Sequence, residues 1–377
     1  MRYLPLFIFT LLYIQSTGVF SQKKSKSKTK KEVSSERNWA ALADSLQEAS
    51  YNTYLSSDKK YYIQDNAGET KFHYWWNAHA LDVLVDGYNR TKDETYKTKM
   101  KDLVKGIKES NGGTYSNDFY DDMEWLALSS LRAYHATKDP EFLEVTNYLW
   151  KDIKTAQNDT MGGGLAWRKS QTYYKNTPAN APAIILAARL YKLNKNEADL
   201  KLAKELYSWL KKTLVNPETG FVMDGINREK NGKIDHWKLT YNQGVYIGAA
   251  HELYKLTGDK TYLNDAIKTA DYVINDPEFV PEGILKSEGG GDGGLFKGIL
   301  IRYLTLFSQE KDVPKENRDN YRKFINHNAK TLAEKGIKRP EMLVSNKWSK
   351  QPEQKTDYST QLSGIMLIEA AHSLDKK

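Results

Sequence analysis

The chain has 377 residues, 40% of them hydrophobic and 12% aromatic, so a large core is available and intrinsic disorder is excluded for the bulk of it. The formal net charge of +8 misleads, because residues 1–37 hold eight basic and two acidic side chains and account for +6 of it, leaving +2 for residues 38–377. A near-neutral body argues against nucleic acid as the main partner and suits an uncharged substrate. The absence of cysteine excludes disulfides, thiolate metal ligands and a cysteine nucleophile.

Residues 1–21 read as a signal peptide. Arg2 gives the positive start, an apolar run extends from Leu4 to Ile14, and Val19 and Ser21 suit cleavage before Gln22. An uncleaved anchor is the alternative. Residues 22–37 are Lys/Ser-rich and predicted to be a disordered tail. No later segment is long and apolar enough to cross a bilayer. The mature protein is therefore expected in the periplasm or outside the cell; it is expected to be a monomer, with residues 38–377 forming a single domain.

From Asn38 onward the hydrophobic period is helical almost throughout. Twelve helices are predicted. They cover 38–55, 75–89, 93–110, a segment from the Asp121-Asp122 pair to about 137, 141–156, 178–191, 196–214, 241–256, 260–274, 296–307, 315–334 and 357–373. Short and long connections alternate. The short ones share a pattern: Tyr88-Asn89-Arg90-Thr91-Lys92-Asp93 resembles Tyr134 to Asp139 and Tyr254 to Asp259, with a looser copy from Tyr191 to Asn196. Each reads as a helix end, a turn, and an Asp or Asn cap for the next helix. Repeated helical hairpins predict a closed toroid, with an open solenoid as the alternative. The long loops, 56–74, 111–120, 157–177, 215–240, 275–295 and 335–356, then gather at one end and form a basin, where sites are usually built.

The fourth helix opens on Asp121-Asp122 at that end. An acidic first turn is an ordinary feature of helices. Adjacent residues, though, have Cα atoms about 3.8 Å apart, and their carboxyls can reach the ~5 Å separation of retaining glycosidases. Carboxylates this close also push their pKa values apart, as a nucleophile and a general acid require. Trp75, Trp76, Trp125 and Trp167 are candidates either for core packing or for sugar platforms. Asn77, Asn180, Tyr241, Asn242, Gln243, Asp292 and Lys297 flank helix starts, where such residues cap helices or bind hydroxyls. The glycine run 289–294 lacks the Lys-Ser/Thr ending of a phosphate loop and reads as a site-edge loop or plain flexibility. The seven histidines show no metal-ligand spacing.

Phe119-Tyr120-Asp121-Asp122-Met123-Glu124-Trp125 resembles the catalytic motif of the family 76 glycoside hydrolases, the endo-α-1,6-mannanases. Similar stretches run through the domain: Tyr74 to Asp82, Gly162 to Trp167, Lys175 to Ala183, Tyr241 to Gly244 and Leu295 to Ile299. The resemblance implies an all-α, (α/α)6 barrel of six helical hairpins, with no metal and no cofactor. It implies hydrolysis of α-1,6-linked mannan with retention, Asp121 acting as nucleophile and Asp122 as acid/base. Transfer to a second mannan chain, or glycan binding without catalysis, are the alternative outcomes.

Overall fold

A computed structural model describes residues 38–353 and 355–375, so the expected signal peptide and Lys/Ser-rich tail lie outside the described residues. The described residues form twelve α-helices. In chain order these are α1 (Trp39–Tyr54), α2 (Tyr74–Thr91), α3 (Glu94–Ser110), α4 (Tyr120–Thr137), α5 (Pro140–Ile153), α6 (Thr177–Asn194), α7 (Glu197–Leu214), α8 (Thr240–Thr257), α9 (Lys260–Asn275), α10 (Gly293–Phe307), α11 (Lys315–Thr331) and α12 (Tyr358–Asp375).

The even-numbered helices pack each against the next, and α12 closes on α2, so they make a ring. The odd-numbered helices stand outside it. The sequence dictates this division. Helices α6, α8 and α12 are apolar or small nearly all round and are buried on every side. Helices α3, α7, α9 and α11 carry a single apolar stripe, such as Tyr96, Met100, Leu103, Val104 and Ile107 on α3, and leave the other face to water. The ring is an (α/α)6 barrel.

The repeated Tyr-to-Asp segments are the hairpin turns. Lys92, Lys138, Lys195 and Gly258 follow α2, α4, α6 and α8 in the left-handed region, at φ 58°, 60°, 59° and 71°. The next residue then caps the outer helix. Asp93, Asp139, Asn196 and Asp259 accept the N–H of Thr95, Glu141, Ala198 and Thr261 at 2.8–3.2 Å.

At the other end, four inner helices use one device that the sequence concealed. The fourth residue of α2, α6, α8 and α12 is Asn77, Asn180, Gln243 or Gln361. Its amide oxygen accepts the N–H of Tyr62, Leu165, Val222 or Val344 in the preceding long loop, at 2.7–3.0 Å. Its amide nitrogen donates back to a carbonyl of the same loop, at 2.8–3.1 Å. Four of the six long loops are thus clamped to the helix that follows.

The long loops also contain strands that were expected to be irregular. Antiparallel β1 (Ala166–Arg168), β2 (Gln171–Asn176), β3 (Gly225–Ile226) and β4 (Ile234–Asp235) form one sheet in that order, and β5 (Ile337–Lys338) pairs with β6 (Leu343–Val344). Strands of two to six residues are too short to establish a period-two pattern. The fifth and eleventh helices also end earlier than expected, in a 3-10 turn at Lys154–Ala156 and a π turn at Leu332–Gly336. Among the described residues no helix is long and apolar enough to cross a membrane.

Candidate active site

Asp121 and Asp122 are the second and third residues of α4, at the long-loop end of the ring. Strand β1 brings their main partner. The chain before α4 is stitched to it: Phe119 bridges Arg168, Lys169 N–H donates to Asp118 O at 2.8 Å, and Ser170 donates to the Asp118 carboxylate. That register sets Trp167 beside Asp121, and its indole Nε1 donates to Asp121 Oδ2 at 3.0 Å. The Asp122 backbone N–H donates to Asp121 Oδ1 at 3.1 Å. Among the described residues Asp122 receives one hydrogen bond, from the Asn117 amide at 3.4 Å.

This unequal supply separates the two acids. Burial raises both above the ordinary carboxylate range and outweighs the favourable helix N-terminus. For Asp121 the N–H donors pull back against burial, and it comes to about 7. For Asp122 the distant Asn117 amide does not offset the causes that raise it. Burial, then Asp121, then Asp292 all push it up, and it stands well above its usual value. Asp121 is the more readily ionised of the pair, and Asp122 is the one that keeps its proton.

Beyond the pair, a group of residues absent from the sequence-level reading completes the site. Asp224, buried at the start of β3, accepts from Asn242 Nδ2 at 3.0 Å and from the Tyr241 hydroxyl at 3.4 Å. Burial raises its pKa, and its charge acts on Asp121. Arg228 pairs with Asp224 and Asp235 at 3.1 and 2.8 Å, and lies over the rings of Tyr174, Trp237 and Trp167. Phe296 stacks flat on Tyr241, with centroids 4.0 Å apart, and meets Trp75 at 6.2 Å. Trp75, Phe296 and Tyr241 are half-buried and form an aromatic row. Glu124, one turn beyond Asp121, is fully buried, and neither carboxylate oxygen has a hydrogen-bond partner. Its position among apolar residues of an inner helix was the available signal. Nothing in the spacing of Asp224 or Arg228 marks them.

The remaining sequence candidates divide. Asp292 lies at the start of α10 and accepts from both Trp75 and Trp76. Trp76 and Trp125 are buried, Trp125 packing on His79 inside the ring, so neither offers a face to a sugar. Asn77, Asn180 and Gln243 are engaged in the loop clamps and are fully buried. Lys297 is turned beneath the floor, donating to Asn346 O at 2.5 Å and lying 4.1 Å from the Trp348 ring centroid. Burial brings it down to about 7. A cavity of about 810 Å³ opens at the short-turn end, where both Arg189 and Lys255 pair with Glu252 and His251 Nε2 lies 3.0 Å from Glu310. Asp121 and Asp122, which form no ion pair among the described residues, are at the long-loop end instead.

A model of glycosyl hydrolase family 76 matches residues 38–377. The chain belongs to that family. Among solved structures, the GH76A alpha-1,6-mannanase from Salegentibacter sp. HEL1_6 is 47% identical with a TM-score of 0.87, and the match covers 89% of this chain and 100% of that one. An inactive variant of that mannanase, with two adjacent aspartates replaced by asparagines, was solved with alpha-1,6-mannotriose; it matches at 46% identity and TM-score 0.87 over the same shares of the two chains. The mannan endo-1,6-alpha-mannosidase of Saccharomyces cerevisiae is 23% identical over 284 residues, 68% of this chain and 62% of its own length. That of Candida glabrata is 26% identical over 223 residues, 52% and 50%. The chain thus spans between half and two thirds of the length of these curated relatives.

Proposed function

We propose that the chain is an exported, retaining endo-α-1,6-mannanase that works without a metal or cofactor. The observation that carries this reading is the unequal provision for two adjacent carboxyls, with N–H donors on Asp121 and like charge around Asp122. The Asp121 carboxylate attacks the anomeric carbon. The bond from that carbon to the O6 of the leaving chain breaks, and O6 takes the proton of Asp122. Asp122, now a carboxylate, takes a proton from water as the water oxygen attacks the same carbon. The ester bond to Asp121 breaks and both acids return to their starting forms. Two inversions give net retention. The aromatic row supplies apolar faces for sugar rings, and the near-neutral body suits an uncharged polymer.

Chromatography of products from debranched α-1,6-mannan tests the reading. Short mannooligosaccharides released by the wild type, and none by Asp121→Asn or Asp122→Asn, are expected. Products longer than a defined oligosaccharide input would instead identify transfer as the main reaction, and release by either variant at the wild-type rate would remove that residue from its role.

A further inference from the structure

Among the described residues four large apolar side chains are exposed, and Trp237 is the most exposed of them, at 51%. It lies two residues after β4 and three before α8, at the long-loop end. The chain on both sides of it is tied down. In the turn between β3 and β4 the Asn227 side chain accepts the N–H of Gly232 at 2.9 Å and donates to Tyr173 O at 2.9 Å. On the other side Lys238 pairs with Asp276 and Glu278 at 3.0 and 2.9 Å, and Lys286 Nζ donates to Lys238 O at 2.8 Å. Leu239 N–H donates to Trp237 O at 3.2 Å. A bare indole is thus held out to water on a fixed stretch of chain.

Alternating guanidinium groups and rings join this indole to the catalytic pair. The Arg168 guanidinium lies 4.7 Å from the Trp167 ring centroid, and that of Arg228 lies 5.7 Å from the same ring and 4.5 Å from the ring of Trp237. Trp167 donates to Asp121 Oδ2 at 3.0 Å. Arg228 does not need Trp237 to hold its place. It donates to Asp224 and Asp235 at 3.1 and 2.8 Å and to the Tyr174 hydroxyl, and it lies 4.3 Å from the Tyr174 ring centroid. The guanidinium takes one face of the Trp237 indole, and the exposure belongs to the rest of the ring system. Apolar surface left in water forfeits the gain of burial, and a pyranose ring recovers it by laying its C–H face on an indole while its hydroxyls stay wet. The two carboxylates on Arg228 balance its charge, so the platform suits a neutral ligand. We propose that Trp237 is the platform for a mannosyl residue remote from the cleaved bond, so that the protein grips its substrate chain beyond the sugars at the catalytic pair. This rests on the substrate proposed above and adds a preference for long chains over short ones.

The test is calorimetry of α-1,6-mannotriose and α-1,6-mannohexaose binding to the Asp121→Asn protein, where no turnover is needed, with and without Trp237→Ala or Trp237→Phe. The affinity gained on going from the triose to the hexaose should fall by about threefold to tenfold in Trp237→Ala, the worth of one aromatic face. Trp237→Phe keeps a ring and should keep most of the gain. A second measurement uses the unaltered chain. Oxidation of exposed indoles by N-bromosuccinimide, located by peptide mapping, should be slowed at Trp237 by mannohexaose and much less by mannotriose.

An equal loss for both oligosaccharides in Trp237→Ala overturns the inference and makes the indole only a support for Arg228. So does unchanged affinity for both, or oxidation of Trp237 that mannohexaose does not slow. Melting temperatures verify that the variants fold. Release of products from debranched α-1,6-mannan by the unaltered chain separates the two levels of the account. If products appear while the gain with length survives Trp237→Ala, the inference alone fails. If nothing is released and neither oligosaccharide binds, the proposed substrate fails and the inference with it.

Discussion

Replacing Trp167 with Phe removes one N–H from Asp121 and little else. The Trp167 ring packs edge-on against Phe119 and Tyr174, at 5.2 and 5.6 Å between centroids, with the Arg168 guanidinium 4.7 Å above it. A phenyl ring keeps most of that packing. The lost bond is the 3.0 Å contact to Asp121 Oδ2. Hydrogen bonds to charged groups contribute about 1.5–3 kcal/mol, and about 1.4 kcal/mol corresponds to one pH unit, so the Asp121 pKa should rise by about one to two units. In the proposed mechanism Asp121 acts as the anion. Its folded pKa of about 7 sets the acid limb of kcat/KM, and activity is lost as pH falls through it. In Trp167→Phe that limb should move to higher pH by the same one to two units. At a pH one or two units below the wild-type limb, the loss should be about tenfold to a hundredfold. Well above the limb the variants should converge. The assay is initial rate against pH on α-1,6-mannotetraose. A limb that stays in place while KM alone rises would refute the reasoning, and would make Trp167 a sugar platform.

Two further predictions concern the frame. Glu124 is fully buried and unpartnered; burial, then the charge of Asp121, hold its pKa well above the ordinary value. A raised folded pKa gives stability that is complete below the unfolded value of about 4.3 and lost as pH rises through the folded one. Glu124→Gln removes that loss, so its melting temperature minus that of the wild type should become more positive from pH 4.5 to pH 8, by about 1–3 kcal/mol in stability. An identical difference at both pH values would contradict it. Asn180→Ala strips the buried N–H and carbonyl of Leu165 of their partners, and urea unfolding should show a loss of about 2–4 kcal/mol together with lower activity, because the same loop leads to Trp167. Unchanged stability with a raised KM would return Asn180 to the sugar-binding group.

The helices were legible because the ring depends on long periodic patterns. All twelve follow from apolar spacing, and the Tyr-to-Asp repeat marked the hairpin turns because Asp, Asn and left-handed residues have strong local preferences. The pair Asp121-Asp122 was legible for a related reason, since adjacency in sequence forces adjacency in space. What the sequence did not reveal depends on long-range register. Asn77, Asn180 and Gln243 looked equally suited to capping or to hydroxyl binding, and only the loop carbonyls facing them decide. Trp167 was open between core packing and a sugar platform until β1 set its indole on Asp121. Asp224 and Arg228 lie about a hundred residues from Asp121 in sequence and meet the site through a sheet whose strands are two or three residues long on that side. The glycine run, readable as flexibility, is instead closely packed at Gly293 and Gly294, where a Cβ would meet the Glu288 carbonyl or the start of α12.

The central claim is the division of labour between two neighbouring carboxyls. Its most direct test is peptide mapping by mass spectrometry after inactivation with a 2-deoxy-2-fluoro-α-1,6-mannobiosyl fluoride, which slows breakdown of a glycosyl ester more than its formation. The account predicts a single ester on Asp121. An ester on Asp122, or turnover with no ester on either residue, would contradict it.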